Sequence, residues 1–166
     1  MTFKYIDGNL VNLSIKCEFD IIGHGCNCQN TMGSGIALSL KNIFPLIEKI
    51  DQETIKGDKN KLGKYSKALY NLYSSDDHKL HKFIILNCYT QFNYSRIKPC
   101  VDYKAIESVM KLIKKDFGGK GLRFGFPKIG AGLAGGDWGI IEPIIKKYLK
   151  DENVTIVNYV ETEINN

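Results

Sequence analysis

The sequence contains no apolar run long enough to cross a bilayer and no cysteine pair with the spacing of a zinc knuckle. Residues 1–5 lead directly into a strand pattern and do not resemble a signal peptide. The five cysteines are an odd number without a C-x-x-C pair, as expected for reduced thiols. These absences predict a cytoplasmic protein that uses neither a metal nor a redox cofactor.

The sequence also has no internal repeat, low-complexity region or convincing linker. Its net charge is +5, but the lysines are spread along the chain. The densest basic clusters, residues 111–115 and 146–147, lie on helical patterns and are expected to face solvent rather than nucleic acid. A chain of 166 residues is long enough for one sizeable core and too short for two comfortable ones. We therefore predict a single, monomeric domain spanning residues 1–166.

Glycine is concentrated in two loops, each of which follows an apolar run and precedes a helical pattern. The first loop spans residues 27–36 and the second spans residues 125–138. Glycine at this density allows sharp turns that expose consecutive backbone N–H groups. Such groups beside a helix N-terminus form an anion site that most often holds phosphate. Two loops of this kind predict a diphosphate ligand, and hence a nucleotide.

Strand and helix patterns alternate along the chain. This order predicts an α/β domain with a mainly parallel sheet and helices on both faces. The ligand of such a sheet binds at the carboxyl ends of the strands, where both glycine loops begin. Strands are predicted at residues 3–6, 19–23, 65–73, 82–89, 122–126 and 154–160. Helices are predicted from residue 36, over 45–55, after Asp102 as N-cap, and over 138–149, with a surface loop at 57–64.

In this order, four segments resemble the motifs of macro domains, the family that binds ADP-ribose. Gly8-Asn9-Leu10 matches the adenine-contacting turn, with Asn9 in the place of the usual aspartate. Residues 21–27 match the strand that leads to an asparagine on the distal ribose. Residues 32–37 and 127–133 match the first and second diphosphate loops. The resemblance implies a three-layer macro domain.

The resemblance also implies a set of substrate-binding residues. Asn27 is expected to contact the distal ribose, although its side chain can instead cap its own turn. Lys128 either steers the diphosphate or faces outward, and Tyr159 either flanks adenine or is simply buried. The implied binding residues are Gly8, Asn9, Leu10, Gly25, Cys26, Asn27, Met32, Gly33, Ser34, Gly35, Ile36, Ile129, Gly130, Ala131, Gly132, Leu133 and Ala134.

Within macro domains, the chain is most similar to the subgroup of yeast-type ADP-ribose 1″-phosphate phosphatases and terminal ADP-ribose glycohydrolases. In the glycohydrolase branch an aspartate follows the loop leucine and a lysine follows the central strand. Here Ala134 follows Leu133, and residues 87–91 contain no lysine. The resemblance therefore implies hydrolysis of ADP-ribose 1″-phosphate. Alternatives are a non-catalytic reader, a hydrolase that removes ADP-ribose from macromolecules without that lysine, or a protein that sequesters an ADP-ribose-derived signal.

Two residues are candidates for the chemistry. His24 lies between two glycines after a predicted strand, where it is expected to reach the cleft as general base, nucleophile or phosphate donor. The alternative is a polar residue that satisfies nearby backbone groups. Asp137 follows the second loop and is expected to protonate the leaving oxygen or orient His24, while also serving as a helix N-cap.

Overall fold

The computed structural model describes residues 1–95 and 99–161. The predicted helix over residues 138–149 and the Asp102 N-cap are confirmed, whereas the short helix Leu10–Ile15 was not predicted. Within the described ranges, no helix has the length and apolar character needed to span a bilayer. The elements are β1 (Phe3–Gly8), α1 (Leu10–Ile15), β2 (Ile21–Asn27), α2 (Gly35–Ile43), α3 (Leu46–Gln52), a 3₁₀ turn (Lys59–Lys61), β3 (Tyr65–Ser74), β4 (Lys79–Gln91), α4 (Tyr103–Phe117), β5 (Arg123–Phe126), α5 (Trp138–Leu149) and β6 (Asn153–Tyr159).

The strands form one six-stranded sheet in the order β1-β6-β5-β2-β4-β3. The β3–β4 pair is antiparallel, and the other neighbouring pairs are parallel. This confirms the predicted α/β class with a mainly parallel sheet. Because the carboxyl ends of β2, β5 and β6 lie at one edge of the sheet, the two glycine loops leave from the same edge.

Apolar side chains pack on both faces of the sheet. On one face, Ile106 of α4 and Ile141 of α5 belong to a fully buried cluster with strand residues such as Phe124. On the other face, Leu40 of α2 and Ile47 of α3 belong to a second cluster. The domain therefore has three layers, helices–sheet–helices, as predicted.

The segment at residues 57–64 is not the surface loop that its polar composition predicts. Backbone hydrogen bonds attach this segment to the ends of two strands. Gly57 N–H donates to the carbonyl of Cys28, which follows β2, at 2.7 Å, and Gly63 N–H donates to the carbonyl of Tyr89 in β4 at 2.9 Å. The Lys61 side chain is only 7 % exposed. Long-range backbone hydrogen bonds on both sides of Lys61 therefore place this lysine in the interior.

Candidate functional site

A cavity of about 820 Å³ lies between the two glycine loops, at the carboxyl edge of the sheet. The loops predicted to form a ligand site are thus brought together around one space, as the parallel strand order requires. The predicted binding residues that line this cavity are Gly25, Cys26, Asn27, Met32, Gly33, Ser34, Gly35, Ile36, Ile129, Gly130, Ala131, Gly132, Leu133 and Ala134.

The first wall of the cavity is the N-terminus of α2. Ser34 is the N-cap, in extended conformation, and its hydroxyl makes no capping hydrogen bond. Leu38 N–H donates to the Ser34 carbonyl at 3.3 Å, which leaves the N–H groups of Gly35 and Ile36 in the unpaired first turn. These N–H groups lie at the positive end of the helix dipole, so this wall is suited to an anion.

The second wall is the loop between β5 and α5. It is closed by Ala131 N–H donating to the Lys128 carbonyl at 3.0 Å and by Gly136 N–H donating to the Gly130 carbonyl at 2.8 Å. Within the described ranges, the N–H groups of Gly132 and Leu133 have no hydrogen-bond partner. The loop therefore offers free donors from the side opposite α2.

The charge of the described lining residues is of one sign, positive. Lys128 contributes a cation, whereas no carboxylate and no imidazole is among the lining residues in the described part of the chain. Burial raises the pKa of the lining thiol Cys26 well above its ordinary value, so this thiol stays protonated near neutral pH. The cavity is thus suited to binding an anion, and its described lining residues include no side-chain acid–base pair.

Asn27 lines the cavity, but its amide is largely engaged in its own turn. Its Nδ2 donates to the Thr31 carbonyl at 3.1 Å and to Thr31 Oγ1 at 2.9 Å. Its Oδ1 accepts from Gln29 N–H at 2.9 Å. The turn-capping alternative is therefore confirmed. A ribose contact remains a prediction that depends on the second lone pair of Oδ1.

The predicted adenine turn, Gly8-Asn9-Leu10, does not line the cavity. Leu10 is 3 % exposed and packs in the core. Asn9 Oδ1 accepts from Val11 N–H at 2.9 Å and from Asn12 N–H at 3.2 Å, because Asn9 is the N-cap of α1. Helix N–H groups thus occupy the Asn9 side-chain oxygen, and a contact of this turn with adenine remains a prediction.

His24 does not reach the cleft, contrary to the prediction. The apolar pattern ended the strand at Gly23, but β2 continues to Asn27, as the motif match of residues 21–27 implied, and pairs His24 with Asn87 of β4. Side chains alternate along a strand, and His24 lies in the interior with 0 % exposure. Its Nε2–H donates to Asn87 Oδ1 at 2.7 Å. Burial lowers the pKa of His24 to about 4, so the imidazole is neutral near pH 7.

Asp137 is the N-cap of α5, and its Oδ1 accepts from Gly139 N–H at 2.8 Å. The capping role is confirmed. The expected pairing with His24 is corrected, because the imidazole is buried against Asn87. Asp137 is exposed and lies outside the cavity lining, so a part in proton transfer remains a prediction.

Other lining residues come from strand ends that the motifs do not cover. Gln91 ends β4 and Asn158 lies near the end of β6, so the carboxyl-edge rule applied to every strand would have found both. Tyr159 lines the cavity and is 70 % exposed, which excludes the burial alternative. Lys128 is also in the lining. Ala37 and Pro127, which lie in the two matched loop segments, also line the cavity, and the lining residues outside every predicted segment are Thr31, Gln91, Tyr94, Val157 and Asn158.

The burial of His24 predicts a specific pH dependence of stability. Its pKa of about 4 in the folded protein is below the unfolded value of about 6.5, so the unfolded chain binds more protons between these pH values. The stabilisation is present above pH of about 6.5 and is lost towards pH 4, by about 3 kcal/mol. Urea unfolding of the wild type and of His24→Gln from pH 7 to pH 4 tests this. Equal pH dependence in both proteins would contradict it.

Comparison with solved structures defines the class of protein. The macrodomain of Thermus aquaticus DarG matches with a TM-score of 0.66 at 19 % identity, over 96 % of this chain and 99 % of that one. Thermosipho africanus DarTG, solved in complex with ADP-ribose, matches with a TM-score of 0.69 at 23 % identity, over 100 % of this chain and 43 % of that one. The chain has the macrodomain fold.

Sequence comparison then places the chain more closely. It is 39 % identical over 163 residues to an uncharacterised 17.5 kDa protein of the tk–vs intergenic region of enterobacteria phage T4, covering 96 % of this chain and 97 % of that protein. The chain belongs to the same family as this phage protein. It is also 29 % identical over 146 residues to a Thermosipho africanus fusion protein named DNA ADP-ribosyl transferase–DNA ADP-ribosyl glycohydrolase, covering 82 % of this chain but 37 % of that protein. No model of a known protein family matches the sequence.

Proposed function

We propose that the cleft binds ADP-ribose or an ADP-ribosyl compound. The observation that carries this proposal is the facing pair of walls, each with unpaired backbone N–H groups, around a cavity of about 820 Å³. That volume is within the range of small-molecule sites. The N–H groups and Lys128 match the charge of a diphosphate, and the complex of Thermosipho africanus DarTG with ADP-ribose supports the choice of nucleotide.

We expect ADP-ribose to bind with a dissociation constant of about 1–100 μM, the middle of the affinity scale. The diphosphate is the group that the two walls are suited to hold. Adenosine, which lacks it, should therefore bind much more weakly. Isothermal titration calorimetry with both compounds, alongside thermal shift, tests this. Absence of heat and of any thermal shift with excess ADP-ribose would contradict the proposal.

We further propose ADP-ribose 1″-phosphate as the compound that is turned over, and the lining supports this choice over covalent glycohydrolase chemistry. Gln91, the last residue of β4, and Ala134, which follows the loop leucine, both line the cavity and supply an amide and a methyl group. The Gln91 Nε2 donates to the Asn93 carbonyl at 2.6 Å. An amine nucleophile after the central strand is therefore absent from the described lining.

The proposed hydrolysis relies on the substrate's own phosphate, because the described lining has no carboxylate or imidazole. Water forms a bond to phosphorus and gives its proton to a phosphate oxygen. The bond from phosphorus to ribose O1″ breaks, and O1″ takes a proton, which leaves ADP-ribose and inorganic phosphate. The loop N–H groups and Lys128 stabilise the negative charge on the transferring group. Asp137, the N-cap of α5, is the acid to test for O1″.

Incubation of the pure protein with ADP-ribose 1″-phosphate, and separately with ADP-ribosylated protein and DNA, distinguishes the candidates. Phosphate release supports the phosphatase, and ADP-ribose release from a macromolecule supports a hydrolase of that class. If neither product is released, the result supports a non-catalytic reader. If Asp137 donates a proton, Asp137→Asn should slow phosphate release by about 10²–10⁴-fold. Asparagine is an equally good N-cap, so the fold is retained. Unchanged turnover in this variant would contradict a role for Asp137.

A further inference from the structure

Lys61 is a buried cation that nothing in the proposed chemistry uses. Its side chain is 7 % exposed. Its Nζ donates to Asn30 Oδ1 at 2.5 Å and to the Cys28 carbonyl at 3.4 Å. It lies 4.0 Å from Asp51 Oδ1 and 4.7 Å from the centroid of the Tyr89 ring. Burying an ammonium group is costly unless it is paired, and here its partners include the start of the first glycine loop.

Asn30, the main acceptor of Lys61, has a left-handed backbone with φ of 55°. Several hydrogen bonds hold it there. Its Nδ2 donates to the Thr54 carbonyl at 2.9 Å, and its carbonyl accepts from Gln52 Nε2 at 2.9 Å. The next residue, Thr31, lines the cavity and accepts from the Asn27 amide at 2.9 Å. The Lys61 contacts are thus one residue away from the cavity wall.

The acidic partner of Lys61 is itself fixed. Asp51 is 1 % exposed, and its Oδ1 accepts from the Tyr89 hydroxyl at 2.8 Å. The ammonium group is therefore anchored between α3 and β4 on one side and the first loop on the other. Lys61 thus links Asp51 of α3 and Tyr89 of β4 to Cys28 and Asn30 of the first loop.

We propose that Lys61 is a positioning residue for the first glycine loop, holding residues 28–31 so that residues 31–36 present their N–H groups to the phosphates of the ligand. The first loop turns at a left-handed Asn30, a conformation that asparagine adopts more readily than most residues other than glycine. The Lys61 bond to Asn30 Oδ1 fixes the side chain at this turn. The link to affinity rests on the proposed ADP-ribose binding, whereas the effect on the loop does not.

Lys61→Met tests the proposal, because methionine fills similar volume without the charge or the donors. Asp51 is then left as an unpaired buried carboxylate, which can prevent folding. The double variant Lys61→Met with Asp51→Asn removes both charges and keeps an acceptor for Tyr89. Glu152→Gln is the matched control. It removes the Lys114–Glu152 ion pair, in which Glu152 is 3 % exposed, and neither residue lines the cavity.

Two measurements are made on each folded variant. In ligand-free protein, amide hydrogen exchange of Cys28 and Gln29, whose N–H groups donate to the Phe92 carbonyl and to Asn27 Oδ1, should become faster in the Lys61 variants and remain at the wild-type rate in Glu152→Gln. ADP-ribose affinity should fall by about 10–100-fold in the Lys61 variants only, as for loss of a group that orients a binding residue. Unchanged exchange at Cys28 and Gln29 overturns the proposal, whether or not the wild type binds ADP-ribose. Absence of wild-type binding overturns only the proposed function.

Discussion

Gly132→Val is expected to weaken ADP-ribose binding by at least about 100-fold, or roughly 2.7 kcal/mol, while the fold remains intact. No atom lies within 4 Å of a Cβ placed on Gly132, and its φ is outside the left-handed region. The backbone angle of Gly132 is therefore one that valine can adopt. The new side chain occupies space beside the free N–H groups of the second wall.

Calorimetry with ADP-ribose measures the effect, and circular dichroism with thermal unfolding verifies the fold. Asn71→Val is a suitable control, because Asn71 is an exposed residue of β3 outside the cavity lining. Gly33→Val is the equivalent change in the first loop, where a Cβ also meets no atom within 4 Å. If folded Gly132→Val binds ADP-ribose as tightly as the Asn71→Val control, the second loop is not the phosphate site.

Gly136→Ala is expected to lower the free energy of unfolding by about 3 kcal/mol or more, an overpacking effect. A Cβ on Gly136 would lie 2.5 Å from the Gly130 carbonyl oxygen and 2.7 Å from Val101 Cγ1. That oxygen accepts the Gly136 N–H bond that closes the second loop, so it cannot move away without opening the loop.

Urea unfolding of Gly136→Ala and of Gly33→Ala measures this difference. Gly33→Ala should change stability by no more than about 0.5 kcal/mol, because its new methyl group points into open space. The same Gly136→Ala protein should also bind ADP-ribose more weakly, since the loop that closes the second wall is disturbed. Equal stability of the two alanine variants would show that the second loop tolerates the extra atom.

The local sequence pattern was sufficient to predict the position of the first glycine loop beside the ligand site. The order apolar run, glycine loop, helix predicts N–H groups at the start of a helix, and α2 begins at Gly35 beside the cavity. The hydrogen bonds from Lys61 to this loop were not predictable in the same way. Lys61 is 31 positions from its acceptor Asn30, and a lysine in a polar segment has no local signal for burial.

The burial of His24 was not predicted, because the end of the preceding strand was placed too early. The pattern of residues 19–23 correctly indicated a strand, but its end was placed four residues before the end of β2 at Asn27. A strand end decides whether the next side chain is in a loop or must alternate into a face of the sheet. Pairing with Asn87 on β4 extends the strand, and that pairing joins residues 63 positions apart.

The sequence by itself determined the α/β class, the N-caps Asp102 and Asp137, the bounds of α5 and the two loops that meet at the cavity. These features depend on local propensities and on the rule that parallel strands end at one edge. Tertiary structure decided that His24 and Lys61 are buried. Both depend on strand register and long-range contacts, which set the direction of a side chain and have no local sequence signal.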